Sequence, residues 1–419
     1  MLLQMVEGLK PGRGGLSPSG GLRRALRGPP SAAVLLACAA VLALRREGAL
    51  SNPQFWAEDG HFYERAYVMG WRCLTLPYAG YLHAVPRAVA VLAASVDPAL
   101  APAVFVGFAA LLTLYVASQA LSPRCPLPRA AGVFALAVVL VPDTYEVLLN
   151  VVNLQWVLAG GLVLLLVSRD PSGRGQWTHD LCAAAALGLT GPFSVILAPL
   201  FIWRAWERRT KSSAVLAAVV SSCGLLQALC LHYQPPSDPG TPGDWSAALL
   251  VLPAVARRIG GSLLLGSLLP ETAGTVLGTV GGLATLLGVG FLALRPGPLG
   301  AERRMLLLAF LAILGASLLR TRWTLHEYFT PHSNSRYMFV PQLIALWLLL
   351  LAACQGGRPA RLAAALALWC LSVNLPRLRE PAYTDLHWSR YAPAIRTGQA
   401  QGIPINPPGW ILKLPARPK

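Results

Sequence analysis

Apolar residues in this chain fall into long runs separated by short polar stretches. Runs near 98–121, 130–142, 152–168, 213–232, 272–294, 305–319, 337–354 and 360–375 have the length and polarity of bilayer-crossing helices. An earlier run at 31–44 is short for a span and reads as a first anchor, or as the core of a signal peptide. Residues 180–203 are apolar but are flanked on both sides by arginines, Arg174 before and Arg204, Arg208 and Arg209 after. Gly191-Pro192 sits at their centre, where proline interrupts the helical hydrogen-bond ladder. The expectation is a hairpin of two short helices, its broken backbone buried in protein.

These elements predict an all-α polytopic membrane protein with about eleven transmembrane helices, the hairpin included. Residues 1–30, rich in Gly, Pro, Ser and Arg, read as a disordered cytoplasmic tail, and 31–375 as the transmembrane domain with a long outer loop at 46–97. An odd crossing number puts the termini on opposite sides, so 376–419 faces out. Its closing stretch, Ile403-Pro-Ile-Asn-Pro-Pro-Gly-Trp410, predicts an extended outer flap rather than a helix. Arg124, Arg129, Arg303, Arg304, Arg358 and Arg361 then fall inside, as the positive-inside bias requires.

Composition agrees with a membrane domain. Hydrophobic residues make up 55% of the chain and charged ones 13%, against about 25% charged in soluble domains. The net charge of +17 does not indicate nucleic-acid binding, because the basic residues sit at the ends of apolar runs instead of forming one stripe. Of the eight cysteines only Cys73 lies in a long polar loop, and no Cys-x-x-Cys pair occurs, so neither a zinc site nor a disulfide framework is indicated.

Candidate chemistry concentrates in the presumed outer loops. Glu58 and Asp59 stand side by side among Phe55, Trp56, Phe62 and Tyr63, where partial desolvation would raise a carboxylate's basicity; a solvated acidic turn is the other reading. Arg87 and His83, in Leu76-Pro-Tyr-Ala-Gly-Tyr-Leu-His-Ala-Val-Pro-Arg87, fit either a phosphate or lipid headgroups. Asn153, Gln155 and Trp156 open an apolar run, suited to sugar contact or to capping and interface anchoring. Near His332-Ser-Asn-Ser-Arg-Tyr337, Arg336 enters an apolar helix, which is costly without an anionic ligand or an internal pair with Glu58 or Asp59.

An acidic pair in the first outer loop of a many-span protein resembles the GT-C superfamily of membrane glycosyltransferases. Trp56-Ala-Glu-Asp-Gly60, Pro77-Tyr-Ala-Gly-Tyr81, Asn153-Leu-Gln-Trp156, Thr190-Gly-Pro-Phe193, Ser335-Arg-Tyr337 and Asn406-Pro-Pro-Gly-Trp410 together resemble a bacterial branch of it. The resemblance implies inverting transfer of a sugar from a polyprenyl-phosphate donor to a glycan, lipid or protein acceptor hydroxyl, at the outer face of a bacterial plasma membrane. It implies Asp59 as base with Glu58 as partner or alternative, and Arg336, Arg87 and His332 on the donor phosphate. Asn153, Gln155, Trp156, Tyr81 and Tyr337 would contact sugar or acceptor. The pair departs from a strict Asp-x-Asp pattern, which leaves the base and any divalent metal open. The competing class is a lipid or lipid-linked-sugar transporter, which would share broken helices and outer arginines but for which no internal repeat is visible.

Overall fold

Helix α1 (Ser31–Arg45) ends on two consecutive arginines, and those arginines organise one end of the molecule. The computed structural model describes residues 31–126, 130–142, 144–234, 246–266, 274–297, 299–322, 324–329, 333–354 and 357–416. The predicted tail 1–30, Arg129 and His332 lie outside the described residues. Helices occupy each of the apolar runs: α4 (Ala101–Ala120), α5 (Ala131–Leu140), α6 (Leu154–Val167), α9 (Lys211–Tyr233), α11 (Gly274–Leu294), α12 (Gly300–Arg320), α13 (Ser335–Ala353) and α14 (Gly357–Asn374). Two helices in the long loop, α2 (Asp59–Met69) and α3 (Ala84–Ala94), precede α4. The chain is mostly helical. Among the described residues, five helices are long and apolar enough to cross a membrane.

The stretch around Gly191-Pro192 is two helices, α7 (Arg174–Gly188) and α8 (Phe193–Arg208), with Gly191 at φ +83° in the break. Their outer ends return to the same place: Arg204 and Arg208 both pair with Asp170, at 2.7 and 3.0 Å. The tip of the hairpin points to the opposite end of the bundle, where it meets the long loop. One element had no counterpart in the sequence reading. Helix α10 (Ser246–Val255) continues through Ala256–Gly261 and packs along α11. Its Arg258 donates to the carbonyls of Tyr328 and Ser333, at 2.7 and 2.5 Å.

The core is continuous along α6 and α13, whose side chains are almost all buried, so these two helices form the axis of the bundle. A second, smaller cluster of Phe55, Phe62, Tyr63, Phe105, Trp388, Ile403 and Leu412 sits beneath the loop end. The carboxyl-terminal region is extended in part, as expected, but it contains the short helix α15 (Ala392–Arg396) and a hairpin of β1 (Gln401–Ile405) with β2 (Trp410–Leu414). The hairpin rests on α2. A β-carbon on Gly60 would lie 2.7 Å from Ile405 Cδ1, so glycine is what lets the strands approach. The mostly helical chain agrees with the all-α expectation, and the described residues add one small two-stranded sheet to it.

Residues 46–97 and 376–416 lie together. Arg45 and Arg46 share Glu380 at 3.2 and 2.9 Å, all three side chains being buried. Arg45 also donates to the Val139 carbonyl at 2.8 Å and to Thr144. Removing one partner of a buried pair leaves an uncompensated charge and costs about 3–5 kcal/mol. Glu380→Leu should therefore destabilise the protein by that order and open 381–416 to limited proteolysis while α13 stays protected.

Candidate functional site

The site starts from Arg46. Its guanidinium lies 4.0 Å from the ring centre of Tyr383, 5.1 Å from Tyr145 and 5.3 Å from Trp56, a cation–π cage that fixes Trp56. The backbone on either side of Trp56 is held by Asn406, whose amide donates to the Phe55 carbonyl at 3.2 Å and whose carbonyl accepts from Ala57. The Asn406 side chain in turn brackets Thr384, accepting from its amide at 3.0 Å and donating to its carbonyl at 2.9 Å. Two short motifs some 350 positions apart thus close on each other. Ala57 then takes φ +44°, a strained value for a residue with a β-carbon, and the two acidic residues separate.

Glu58 lines an open cavity, and Asp59 does not. Asp59 is 1% exposed, and its Oδ1 accepts from the amides of Val151 and Val152 at 3.2 and 2.7 Å, stitching α2 to the start of α6. Burial pushes its carboxyl up to about 8, although the Val152, Trp56 and Val151 amides pull the other way. The two carboxylates expected at the site are thus placed differently, Glu58 on the cavity and Asp59 in the wall behind it.

The opposite wall is a two-residue turn. Tyr78 and Tyr81 exchange backbone hydrogen bonds at 2.9 and 3.2 Å, with Ala79 at φ +52° and Gly80 at φ +90°, the left-handed pair of a tight hairpin turn. The turn brings both tyrosines against His83, with ring centres 5.8 and 4.8 Å away, and Phe62 closes on it at 5.2 Å. His83 is 1% exposed, with the Tyr78 backbone facing its ring. Burial first, and then the Arg87 charge, lower it to about 3, so it is neutral at pH 7. It is not a headgroup contact. Burial pushes the Tyr81 hydroxyl up to about 12 and raises Tyr78 further, with the Glu58 charge adding to the latter.

The hairpin tip supports this wall from below. Ala84 donates to the Leu189 carbonyl and Gly191 to the Leu82 carbonyl, both at 3.0 Å. Gln227 of α9 accepts from the Leu82 amide at 2.7 Å and donates to the Leu82 and Gly191 carbonyls at 3.1 and 3.0 Å. The helix break is therefore a mount for the Tyr78–His83 segment.

The third wall comes from α6 and α13. Asn150 and Asn153 both donate to the Glu146 carbonyl, at 2.8 and 2.7 Å, which holds the loop carrying Glu146 over the α13 amino terminus. There Arg336 pairs with Glu146 at 3.5 Å and keeps 30% of its side chain exposed. Trp156 packs edge-on to Phe193 and Tyr337, at 5.0 and 5.1 Å, and its indole N–H has no partner.

The walls enclose about 430 Å³, lined by Glu58, Tyr78, Tyr81, His83, Asn153, Gln155, Trp156, Arg320, Arg336 and Tyr337 among others. Seven of the residues expected at a site are brought together: Glu58, Arg336, Tyr81, Tyr337, Asn153, Gln155 and Trp156. Arg87 is not among them. It is 1% exposed, with its guanidinium 4.5 Å from the ring centre of Phe62, so Phe62 stands between it and His83. Arg336 has an internal partner, but it is Glu146 and not Glu58 or Asp59. Sequence reasoning gave no individual role to Arg320, Tyr78 or Glu146. Arg320 carried a signal, a cation closing an apolar run at the end where cations are unfavoured; Glu146 carried none.

No group of three or more His, Cys, Asp or Glu side chains that could hold a metal forms among the described residues. A scan of protein families, a search of curated proteins and a search of solved structures each found no match to this chain. The site must speak for itself.

Asp59 gives a pH prediction. Its folded value of about 8 lies above the ordinary 3.8, so the native state binds more protons than the unfolded chain between those values, and stability falls as pH rises through that window. Asp59→Asn keeps an oxygen for both amides and removes the titration. Thermal unfolding in detergent should show the wild type losing stability from pH 5 to 8 and the variant staying flat, at least as stable at pH 8. A variant less stable at pH 8 would refute the structural assignment.

Proposed function

We propose that this protein is a membrane glycosyltransferase that moves a sugar from a polyprenyl-phosphate carrier to an acceptor hydroxyl, with inversion. The observation that carries the reading is the shared cavity: one carboxylate, two arginines, a neutral buried imidazole and unpartnered polar groups among aromatic rings, at one end of a bundle with membrane-length helices. Aromatic faces with sparse, fixed polar groups suit a sugar ring. Arginines suit the phosphate that leaves it.

In this reading the acceptor hydroxyl gives its proton to the Glu58 carboxylate as its oxygen attacks the anomeric carbon. The bond from that carbon to the phosphate oxygen breaks, and the lipid phosphate leaves with the electron pair. Charge developing on the departing oxygen is met by Arg336, with Arg320 beside it in the cavity. Glu146 holds Arg336 in place at 3.5 Å, a separation loose enough for the guanidinium to turn to a phosphate. Trp156 and His83 offer ring nitrogens to sugar hydroxyls without adding charge. What favours Glu58 over Asp59 as base is access: Glu58 reaches the cavity, whereas Asp59 is sealed behind the Val152 backbone. In the orientation proposed, Arg124, Arg303, Arg304, Arg358 and Arg361 stay cytoplasmic and the cavity faces out.

The test is sugar transfer by purified protein in lipid, from a polyprenyl-phosphate sugar. Loss of a general base typically costs about 100- to 10,000-fold. Glu58→Gln should lose turnover on that scale, and Asp59→Asn should keep most of it; a dead Asp59→Asn enzyme that folds normally would reverse the assignment. Arg336→Lys keeps the charge but not the planar fork, so donor turnover should fall by about 10-fold or more, as loss of a charge-assisted hydrogen bond implies. Unchanged kinetics would return Arg336 to a purely structural role with Glu146.

A further inference from the structure

One helix of the long loop has its polarity inside out. Helix α3 contains a single polar side chain, Arg87. That side chain is buried, turned inward with its guanidinium 4.5 Å from the ring centre of Phe62. The outward face carries Ala88 and Leu92, one turn apart, with Val85 and Val91 half-buried on its flanks. A surface helix in water turns its polar residues out, whereas a helix apolar all round belongs in a protein core or in lipid. Helix α3 has no polar face to offer water, yet the protein covers only one side of it.

The neighbouring segments extend this apolar surface. Helix α2 begins with ordinary polarity: His61, Glu64 and Arg65 are open to the outside, and Phe62, Tyr63 and Ala66 are buried. Its last turn departs from that pattern, with Val68 exposed. The short helical turn Gly70–Thr75 then packs against α3 and exposes Leu74 and Trp71, the latter by 72%. Arg72 stands beside Trp71 and is exposed as well. A tryptophan and an arginine at the edge of an apolar surface are the composition of the bilayer's interfacial layer.

What covers this surface follows from its position. Helix α3 packs against α4, a helix of membrane length whose candidate span begins at Pro98, only a few residues after α3 ends. Leu100, at the start of that span, is exposed. The apolar face of α3 is thus continuous with the outer surface of a span at the level where the span enters the bilayer. Helix α3 itself is too short to cross: 11 residues rise about 16 Å, roughly half of a hydrocarbon core of ~30 Å.

We propose that α3 and the Gly70–Thr75 turn lie in the interfacial layer of the bilayer on the Glu58 side, their apolar face against acyl chains. This contact sets the depth of the Glu58 cavity. The Tyr78–Tyr81 turn that forms one of its walls leads through His83 directly into α3, so the wall is held at the level of the lipid headgroups. Membrane contact falls to Leu92 and Trp71, and Arg87 faces away from it.

The experiment reconstitutes the full chain in phosphatidylcholine bilayers and reads tryptophan quenching from two sides, by phosphatidylcholine brominated near the top of its chains and by aqueous iodide. Leu92→Trp places a reporter on the outward face of α3, and its added emission should be lost to the brominated lipid and kept in iodide. Arg65→Trp, on the polar face of α2, should show the reverse. Should Leu92→Trp fail to fold, the native reporter serves: Trp71→Phe should remove emission that the brominated lipid quenches. Added emission at Leu92→Trp that only iodide quenches would put the face in water. Emission untouched by either quencher would put a protein surface over it, such as a second copy of the chain. Either result overturns the proposal, as does a Trp71 emission that responds to iodide alone.

Discussion

Two buried guanidiniums share one carboxylate where α1 ends. Arg45 and Arg46 are each 1% exposed, and Glu380 reaches both from a point more than 330 residues further along the chain. Charges taken out of water are tolerated only when geometry and further hydrogen bonds are good. Here Thr144 and the carbonyls of Val139 and Tyr145 supply those bonds. The cluster thereby ties the end of α1, the loop after α5 and the carboxyl-terminal segment to one point, and the walls of the cavity that carry Glu58 and Glu146 hang from it.

The consequences can be followed outward. With Glu380 fixed, Tyr383 stacks on Arg46 and Thr384 meets Asn406, which brackets Trp56 and Ala57. That bracket sets the turn that sends Glu58 one way and Asp59 the other. Asp59 in turn aligns Val151 and Val152, and so the start of α6 with Gln155 and Trp156. The two ends of the bundle are also built differently. The Glu58 end is lined by aromatic rings, while the far end is held by ion pairs, Arg124 on Asp180 and Arg204 with Arg208 on Asp170.

The membrane helices were legible because bilayer solvation writes a long, simple signal. Runs of apolar residues and arginines at their ends needed no partner to be recognised, and the Gly191-Pro192 break follows from proline chemistry alone. Helix α10 was not legible, since Arg257 and Arg258 interrupt the apolar run just after it, and the Tyr328 and Ser333 carbonyls that receive Arg258 come from a distant segment. Local sequence cannot announce a distant acceptor.

For the site, the residues themselves marked a region: paired carboxylates, tyrosines around an Ala-Gly turn, and an arginine opening an apolar helix are unusual types in unusual places, and the cavity collects most of them. The sequence by itself determined that these groups sit at one end of a helical membrane bundle, because hydropathy and charge act residue by residue. Which carboxylate faces the cavity was decided elsewhere. Glu58 and Asp59 are neighbours of nearly identical chemistry, and only the Ala57 turn, set by Asn406 from the far end of the chain, separates an accessible carboxylate from a buried acceptor of backbone amides. The same holds for Arg87 and Arg336. Each is an arginine near the start of an apolar helix, but Phe62 covers one and Glu146 holds the other open, and both covers come from segments brought near only by the fold.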